Sequence, residues 1–371
     1  MKKAIVIGSG FSGCMFAMML RQKNWEVTLI EKSKIAGGGV RTFYHGGHPY
    51  TYGPRHFIGP ESSMPAFEFL NKIIPMRHIK KINYSYQAKD DYFAHYPMHI
   101  DDIKKLSDAE KIFNELDALP KESKSSNFEE FWMSRVGKTL YERFNKFYNL
   151  KAWNIKSNKE MNAGFEGTVK RKPLETESKY EFHTGYINAY PESEDGYNKF
   201  FPVALDGCNV LLNKEIKKVD LDKISVTIDN NEKIFADIII STISPDFLLD
   251  YSFGELAYVG RDFFKIVLPI ENLLPKDVYF LYYPNEGEQQ TRVTEFKKFT
   301  RHKSSNTLIT MEVPSMKNKL YPTMIKSEVE KADKYLKSLP EKIKSVGRMG
   351  TYRYVDIDDI IMQGLEFSKE I

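Results

Sequence analysis

An α/β fold with α+β insertions is predicted from three regions of different texture. Residues 3–31 have the order strand, glycine-rich turn, helix and second strand, which opens a Rossmann-type domain. Between about residues 100 and 158, apolar side chains recur every three or four positions, which predicts helices packed on helices. From about residue 166, short alternating segments rich in aromatic residues predict an antiparallel sheet and further strands of the first domain.

These regions are expected to form domains that are discontinuous in sequence. A short helix is predicted around residues 62–74, and a later helix is predicted to begin with a capping box from Ser327 to Glu330 and to end at Pro340. The predicted domains are residues 1–78, 191–245 and 316–371 for the Rossmann-type domain, 100–165 for the helical domain, and 79–99, 166–190 and 246–315 for the antiparallel sheet domain.

The composition argues against several classes of function. The 54 lysines and arginines are interleaved with 50 acidic residues, so the net charge of +4 gives no basis for nucleic-acid binding. Two cysteines are too few for a disulfide framework or a cysteine-rich zinc site, and the histidines show no metal-ligand spacing. Because no apolar run approaches the roughly 20 residues that span a bilayer and no cleavage site precedes the first strand, we expect a cytoplasmic protein without membrane insertion.

A glycine motif follows the first strand. Gly8, Gly10 and Gly13 form G-x-G-x-x-G, which opens a helix. The first glycine allows a tight turn, the second lets a pyrophosphate approach the backbone, and the third lets helix and strand pack closely. Glu31, at the end of the second strand, is placed to accept hydrogen bonds from ribose hydroxyls, and an acid there disfavours a 2′-phosphate. The predicted dinucleotide site also includes Phe11, Ser12 and Lys32.

A second glycine cluster favours FAD over NAD. AGGGVRT, residues 36–42, brings Gly38 and Gly39 close behind the acid, as is typical of FAD-binding folds in which the chain passes near the cofactor again. ADIIISTISP, residues 236–245, fits the returning strand of such flavoproteins. GRMGTYRYVDIDDII, near the end of the sequence, fits a glycine and an arginine that precede a strand, a turn and a helix.

The loop TYGPRHFIGP, residues 51–60, is unusually restricted. It combines two aromatic residues, a Gly-Pro corner and two cationic side chains. Such a loop either holds a flat or charged ligand or forms a well-packed turn, and the residues alone leave both alternatives open.

Motifs spread over nearly the whole chain are specific when they are taken together. They are the glycine fingerprint, AGGG, YGPRHF, YPMHI, LYERFNKFYNLKAW, EDGYNKFF, FGELAY, TRVTEFKKFT and GRMGTYRYVDIDD. On these motifs the chain resembles the UDP-galactopyranose mutases. The resemblance implies FAD in a Rossmann-type domain, a helical domain and an antiparallel sheet domain. It also implies a homodimer that converts a nucleotide-linked pyranose, such as UDP-galactopyranose, to a furanose such as galactofuranose for surface polysaccharide.

The chemistry implied by the resemblance involves no net oxidation or reduction. N5 of the reduced flavin would attack the anomeric carbon, expel the nucleotide diphosphate and lead through an iminium to ring opening and closure. No side-chain base or metal is obligatory. The protein would orient flavin, sugar and diphosphate and offset the charge of the leaving group, with support from Arg55, Arg261 and Tyr354.

The resemblance also assigns roles to individual residues. The loop of Tyr52, Gly53 and Pro54 would lie along the flavin ring, so the family favours the ligand-holding alternative for it. Arg348 matches a flavin-side arginine, and Asp356 and Ile357 follow it in the same motif. The implied substrate residues are Tyr148, Trp153, Tyr186, Arg292 and Tyr354, with His99 and Gln290 at two positions where the family has other residues.

Two diphosphate arginines of the family are missing, because Glu175 and Val259 occupy their positions. Gln290 stands where the family has a tyrosine, His99 where it has an asparagine, and Arg55 where it has a histidine. Since guanidinium grips phosphate in a bidentate manner, we expect a replacement cation. The candidates are Arg55, Arg171 and Arg261.

A changed diphosphate grip predicts a changed substrate. The hypothesis is another nucleotide pyranose, a 6-deoxyhexose such as dTDP-fucopyranose or a heptose on GDP, with poor conversion of UDP-galactopyranose. The competing functions are a flavin oxidase or desaturase of the amine-oxidase type, which would need an electron acceptor, and a flavoprotein that has lost catalysis and serves as a binding subunit.

Overall fold

A computed structural model describes residues 1–53, 55–122, 124–163, 173–176, 186–229 and 231–371. The predicted flavin residue Pro54 and the candidate cation Arg171 lie outside the described residues. The helices are α1 (Phe11–Gln22), α2 (Met64–Ile73), α3 (Ile100–Ile103), α4 (Ala109–Asp117), α5 (Phe128–Tyr141), α6 (Phe147–Trp153), α7 (Phe200–Ala204), α8 (Pro245–Leu248), α9 (Lys297–Thr300), α10 (Lys326–Lys337), α11 (Gly347–Gly350) and α12 (Ile357–Glu370).

The strands alternate with these helices along the chain. They are β1 (Lys3–Ile7), β2 (Glu26–Ile30), β3 (Phe43–His45), β4 (His48–Tyr50), β5 (Phe57–Pro60), β6 (Met76–His78), β7 (Ile82–Gln87), β8 (Tyr92–His95), β9 (Met98–His99), β10 (Leu174–Glu175), β11 (Tyr186–Pro191), β12 (Asn209–Leu211), β13 (Ile216–Asp220), β14 (Ser225–Ile228), β15 (Lys233–Phe235), β16 (Ile238–Ser241), β17 (Tyr258–Leu268), β18 (Val278–Tyr282), β19 (Arg292–Glu295), β20 (Thr307–Ser315), β21 (Tyr321–Pro322) and β22 (Ile343–Ser345).

A parallel sheet with the strand order β12-β2-β1-β16-β22 forms the base of the first domain. On the central strand, Val6 lies opposite Leu29 on one side and Ile240 on the other. These strands are continuous apolar runs because elements cover both faces of the sheet, as is usual for parallel strands. The predicted Rossmann-type fold is thereby confirmed, including the first strand–helix–strand unit and the returning strand within residues 236–245.

A second sheet has the order β21-β17-β20-β19-β18-β7-β8. Its neighbouring strands are antiparallel except for β18 and β7, which run parallel. One face of this sheet is buried but polar, since Asn83, Ser85, Thr310 and Glu312 are at most 2% exposed. A sheet face that packed on a plain core would carry apolar side chains instead. The polar face therefore marks the part of the sheet that surrounds a site.

The helical insertion covers this polar face. Helices α4 and α5 pack around Ile112, Trp132, Val136 and Leu140 in an apolar core. A π-helical turn from Glu142 to Lys146 joins α5 directly to α6. The apolar spacing predicted helices here, and the structure confirms them.

Three local predictions were wrong. Helix α10 begins at Lys326, so Ser327 lies inside its first turn and forms no capping box. No strand forms within residues 351–356, where Arg348 donates to the carbonyl of Val355 at 2.8 Å and so satisfies a group that a strand would pair. The segment TRVTEFKKF is one of the alternating segments that predicted the antiparallel sheet, but its strand β19 ends at Glu295 and is followed by the short helix α9. The domain boundaries themselves stay a prediction.

Candidate functional site

The glycine fingerprint forms a tight turn with an open surface. Gly8 has φ of +90°, a left-handed value that favours glycine. A Cβ on Gly13 would lie 1.9 Å from the carbonyl oxygen of Gly8, so α1 packs too closely on the turn for a side chain. A Cβ on Gly10 would meet no protein atom within 4 Å. Together with the free N–H groups at the start of α1, this space suits a phosphate.

Glu31 is held beside the turn. Its carboxylate accepts hydrogen bonds from the backbone N of Ser9 at 2.8 Å, the Oγ of Ser9 at 2.8 Å and the backbone N of Ser33 at 2.7 Å. Burial alone would raise the pKa of Glu31, but these hydrogen bonds outweigh burial and lower the pKa. The charged carboxylate is thus fixed where the ribose acceptor was predicted, and Lys32 beside it is exposed.

A cleft in front of the fingerprint is lined by seven of the fifteen predicted cofactor residues. Arg348 forms one side, where its Nε and Nη2 donate to the carbonyl of Val355 at 3.1 and 2.8 Å. Asp356 lies 3.5 Å from Nη2 of the same guanidinium and caps α12. The other predicted residues that line the cleft are Gly10, Phe11, Ser12, Gly39, Arg55 and Ile357.

This cleft fits the predicted dinucleotide. It offers a helix N-terminus, open space at Gly10, and three cationic side chains, Arg55, Lys319 and Arg348, for the two phosphates of FAD. The Nε of Arg55 is buried and has no hydrogen-bond partner among the described residues, so an anionic group could satisfy it. Gly38 approaches the same turn, because a Cβ there would lie 3.1 Å from the Cα of Gly10.

A second cavity lies between the helical domain and the polar sheet face. Helices α5 and α6 and the turn between them form one wall, and strands of the seven-stranded sheet form the other. The wall on the helical side is largely aromatic. The lining residues include the predicted substrate residues Tyr148, Trp153, Arg261, Arg292 and Tyr354, together with Ser85, Phe128, Trp132, Phe144, Asn145, Tyr282, Glu312 and Tyr321.

An aromatic and cationic cluster connects the cavity to the cofactor cleft. The rings of Tyr321 and Tyr354 stack with centroids 5.9 Å apart at 11°. The guanidinium carbon of Arg348 lies 4.8 Å from the Tyr321 ring and 4.9 Å from the Tyr354 ring. Trp153 meets both rings edge-on at 6.0 Å. A group bound at Arg348 and a group bound in the cavity are therefore separated by one layer of side chains.

Arg261 carries a positive charge into this cavity. Its side chain is buried, at 8% exposure, and its guanidinium carbon lies 5.0 Å from the Tyr321 ring centre. Nη1 donates to the carbonyl of Gly260 at 2.7 Å, and no ion pair with a carboxylate is found for Arg261 among the described residues. A buried guanidinium without a carboxylate is suited to bind an anionic ligand.

Positive charges dominate the electrostatics of Tyr321. Burial would raise the pKa of this tyrosine, but the nearby charges outweigh burial and lower the pKa to about 8. The charges that act are those of Arg55, Arg348, Arg261 and Arg292, in decreasing order of effect. Four cations around one phenol show that the junction of cleft and cavity is strongly electropositive.

The loop of Tyr52 and Gly53 packs against the cavity. A Cβ on Gly53, which has φ of +80°, would lie 3.5 Å from Nη2 of Arg292. Tyr52 packs its ring against Phe43 at 5.0 Å and Phe263 at 5.5 Å. The loop is thus both a packed turn and a part of the wall behind Arg292, and its role along a flavin ring stays a prediction.

Several predicted substrate residues lie away from the cavity. His99 is the N-cap of α3. Its Nδ1 accepts a hydrogen bond from the backbone N of Asp101 at 3.1 Å and so satisfies a free N–H group at the start of the helix. Glu175 pairs with His99 in a two-stranded ladder. Gln290 precedes the lining residue Thr291 and is half-buried outside the lining, and Tyr186 begins β11, whose register places it opposite Pro60.

Sequence reasoning missed several lining residues. Glu312 on β20 pairs with Arg292 on the neighbouring strand β19. Alternation along β20 assigns Glu312 to one face of the strand, but its partner across the sheet depends on a register that the sequence does not reveal. Tyr321 lies on a two-residue strand and carries no motif. Trp132 lies in the apolar stripe of α5, and Asn145 lies in the π-helical turn that follows it. The helical spacing there predicted packing between helices and did not indicate that these two residues line a cavity.

The described residues contain neither a membrane-spanning helix nor a metal-binding cluster. No helix in the described ranges is long and apolar enough to cross a membrane. Within the same ranges, no group of three or more His, Cys, Asp or Glu side chains is arranged to hold a metal ion.

Comparison with known proteins extends the resemblance. The family model for UDP-galactopyranose mutase matches residues 143–354, and that for an NAD(P)-binding Rossmann-like domain matches residues 6–73. A dTDP-fucopyranose mutase of Escherichia coli is 28% identical over 391 residues, which cover 99% of this chain and 97% of the relative. A Klebsiella pneumoniae protein named "Probable UDP-galactopyranose mutase" is 25% identical and covers 100% of this chain and 94% of its own length.

A solved structure shares the fold over the full length. The crystal structure of a reduced UDP-galactopyranose mutase aligns with a TM-score of 0.83 and 19% identity, and covers 100% of this chain and 95% of that chain. Because one family model spans more than half of the chain, the predicted family, the mutase-type isomerase class and the flavin cofactor are confirmed. The chain belongs to the UDP-galactopyranose mutase family.

Proposed function

We propose that this protein is a flavin-dependent mutase that interconverts the pyranose and furanose forms of a nucleotide-diphosphate sugar. One observation carries the proposal. Buried Arg261 has no carboxylate partner among the described residues, and it lines a cavity that one layer of side chains, Arg348 packed on Tyr321 and Tyr354, separates from the cofactor cleft. A diphosphate at Arg261 would lie on the cavity side of this layer, and the attached sugar would extend from it towards the flavin.

The two cavity arginines have different electrostatic roles. Arg292 is already neutralised by Glu312, so it can orient an anion without adding much net charge. Arg261 supplies the unneutralised charge that a departing diphosphate needs. In this proposal Arg261 replaces the missing family arginines, Arg55 acts from the cofactor cleft, and Arg171 remains an untested alternative.

When it is bound, reduced flavin supplies a nucleophilic nitrogen for the anomeric carbon. The chain contributes binding and orientation. Tyr321 and Tyr354 form a stacked aromatic floor, and Trp153 packs edge-on against both rings. Tyr148 lines the helical wall, and the phenol of Tyr321 can donate to a diphosphate oxygen. No protein base is required for this assignment.

The sugar and the base belong to the same proposal. A relative that matches over nearly its full length is named dTDP-fucopyranose mutase, which supports a 6-deoxyhexose on dTDP over UDP-galactopyranose. We also include in the proposal a cytoplasmic homodimer that supplies furanose for surface polysaccharide. A heptose on GDP remains the alternative substrate.

The test is conversion of defined nucleotide sugars by the purified protein. After dithionite reduction, the protein is incubated with dTDP-fucopyranose, UDP-galactopyranose and a GDP-heptose, and the products are separated by chromatography. We expect a furanose product from at least one of them, fastest with dTDP-fucopyranose, and none with oxidised flavin. Consumption of an electron acceptor without furanose formation would instead establish the oxidoreductase alternative.

A further inference from the structure

The seven-stranded sheet has a polar inner face and an apolar outer face. On the inner side, towards the cavity, Asn83, Ser85, Thr310 and Glu312 are buried. The side chains that alternate with them along the strands point to the opposite side of the sheet. A sheet of mainly antiparallel strands with one face in solvent ordinarily directs its apolar side chains inward and its polar side chains outward. The polarity of this sheet is reversed, so its outer face is suited to be covered.

The outer face is apolar across four neighbouring strands. Residues that lie opposite each other form one row, which consists of Phe264 on β17, Met311 on β20, Val293 on β19 and Leu281 on β18. Beside this row, Ile266 lies opposite Ile309. Phe264 is 51% exposed and Ile266 is 43% exposed, and the other four residues are half-buried. None of the six belongs to an apolar core cluster formed by the described residues.

The outer face continues over the next two strands. Tyr86 on β7 and Phe93 on β8 lie opposite each other with their ring centroids 5.0 Å apart, and Phe93 is 40% exposed. At the outward positions of these six described strands, Asp, Glu, Lys and Arg occur only where the face ends. There Asp262 pairs with Lys317, and the buried carboxylate of Glu295 accepts from two backbone N–H groups at 2.9 and 2.8 Å. Aromatic residues and methionine without charged side chains are the composition of an interface core.

The outer face is large enough for a stable interface. Strands lie about 4.8 Å apart and each residue advances a strand by about 3.4 Å, so six strands with about five residues each cover on the order of 500 Å² before the relief of the side chains is counted. Exposed Leu273, whose backbone N donates to Glu295, extends this area. Soluble monomers rarely leave more than a few hundred Å² of contiguous apolar surface open, and a standard interface takes about 800 Å² of accessible surface from each partner.

We propose that the outer face binds the outer face of a second copy of this chain, an inference that rests on the homodimer of the proposed function and adds its interface. Two apolar sheet faces pack stably about 10 Å apart with their side chains interdigitated. Because each copy presents the same patch to the other, the contact closes as a two-fold dimer. A lipid surface is a poorer match, since binding to anionic lipids uses Lys and Arg, which are missing between the ends of the face.

The proposed interface lies behind the substrate cavity. Strands β17, β19 and β20 carry Arg261, Arg292 and Glu312 on their inner side and the apolar row on their outer side. The partner's sheet would therefore support the wall that holds the cavity arginines.

Sedimentation equilibrium of the purified holoenzyme over a series of concentrations tests this inference. At micromolar concentrations we expect a mass of twice the 43.1 kDa of one chain. A single-chain mass at every concentration would overturn the inference.

Two substitutions locate the interface. Phe264→Glu and Ile266→Glu each place an unpaired charge inside it, so we expect the dissociation constant of the dimer to rise at least about a hundredfold. Both side chains are exposed in a single copy, so circular dichroism and FAD content should stay unchanged. The matched control is Phe235→Glu, at a phenylalanine of β15 that is 56% exposed in a different sheet, and this variant should remain a dimer.

The other outcomes separate this inference from its rivals and from the mutase. If both variants stay dimeric, the copies meet elsewhere and the inference is wrong. It is also wrong if the unaltered protein is a monomer that sediments with phosphatidylglycerol vesicles and Phe264→Glu abolishes that binding. Conversion of nucleotide sugars is measured separately, so a monomer that forms furanose would overturn the interface and leave the mutase proposal intact. A dimer that dissociates in both variants but forms no furanose would support the interface and overturn the mutase.

Discussion

Arg292 and Glu312 form a bidentate ion pair inside the cavity, with Nε to Oε1 at 2.9 Å and Nη2 to Oε2 at 2.8 Å. They lie opposite each other on β19 and β20, and Glu312 is 1% exposed. The geometry fixes the guanidinium plane, so that one edge of Arg292 is held by the protein. The pair stabilises the fold and also fixes the orientation of the Arg292 guanidinium in the wall of the cavity.

Glu312→Gln should destabilise the protein markedly, because the change leaves the buried charge of Arg292 without its partner. We expect a loss of about 3 kcal/mol in the free energy of unfolding, measured by urea denaturation at neutral pH. Added dTDP should recover part of the loss, since an anion can compensate the same charge. The control is Glu366→Gln in the exposed pair with Lys369, where the change should stay below about 0.5 kcal/mol. Equal effects in the two variants would contradict the prediction.

The cofactor half of the site is predictable from sequence because its signals are local. The fingerprint glycines, the helix that follows them and Glu31 lie within one strand–helix–strand unit, whose periodicity is visible in the chain. Arg348 and Asp356 could be placed only by resemblance, since nothing near them in sequence shows that they reach the fingerprint.

The substrate half depends on strand register, which a single sequence does not reveal. Arg292 meets Glu312 only because β19 and β20 pair with that offset, and Tyr321 reaches Arg261 only through the pairing of β21 with β17. His99 shows a different limit of the sequence. It stands where the family has an asparagine and was predicted to contact the substrate, and in the structure its side chain caps α3, so the ligand contact stays a prediction.

Two glycines of the fingerprint should respond differently to alanine. Gly13→Ala would place a Cβ 1.9 Å from the Gly8 carbonyl oxygen, so we expect strong destabilisation of the protein with or without cofactor. Gly10→Ala meets no protein atom, so its thermal unfolding without cofactor should match that of the unaltered protein. Its Cβ would instead enter the cofactor cleft, and the FAD released on denaturation should fall at least several-fold. Full FAD content in Gly10→Ala would show that the cofactor does not approach this turn.

Tyr321 should give the stability of the protein a distinct alkaline dependence. Its pKa of about 8 in the folded state lies below the value of about 10 for an unfolded tyrosine. Folding therefore favours the ionised form, and this stabilisation is present above pH of about 10 and is lost as the pH falls through about 8. Relative to Tyr321→Phe, the unaltered protein should gain on the order of 2 kcal/mol between those pH values.

Chemical denaturation across this pH range measures the gain. Tyr258→Phe serves as the control, because burial raises the pKa of Tyr258 and no such gain is expected in that window. Ionised Tyr321 also neutralises part of the cationic cluster, so dTDP should bind more weakly above pH of about 8 in the unaltered protein than in Tyr321→Phe. A flat difference between the two proteins from pH 7 to 10, in stability and in affinity, would show that the arginines do not act on this phenol.

Arg261→Ala should impair substrate binding without harming the fold. Because no carboxylate pairs with Arg261 in the described part of the chain, its removal leaves no buried charge uncompensated, and the free energy of unfolding should stay within about 0.5 kcal/mol or rise. Loss of a charge-assisted contact costs roughly 1.5–3 kcal/mol, so KM for the preferred nucleotide sugar should rise about tenfold to a hundredfold while FAD content is unchanged. Arg301→Ala, at an exposed arginine, is the control.

Comparison of Arg261→Ala with Arg55→Ala shows whether the diphosphate binds in the cavity or in the cofactor cleft. Steady-state kinetics with dTDP-fucopyranose and UDP-galactopyranose are compared for Arg261→Ala and for Arg55→Ala, which alters the cofactor cleft. If Arg261 holds the diphosphate, its loss raises KM for both substrates by a similar factor, because the diphosphate is common to them. Arg55→Ala should then lower FAD content or kcat more than it raises KM. A normal KM in Arg261→Ala together with a raised KM in Arg55→Ala would show that the diphosphate binds on the fingerprint side and not at the sheet wall of the cavity.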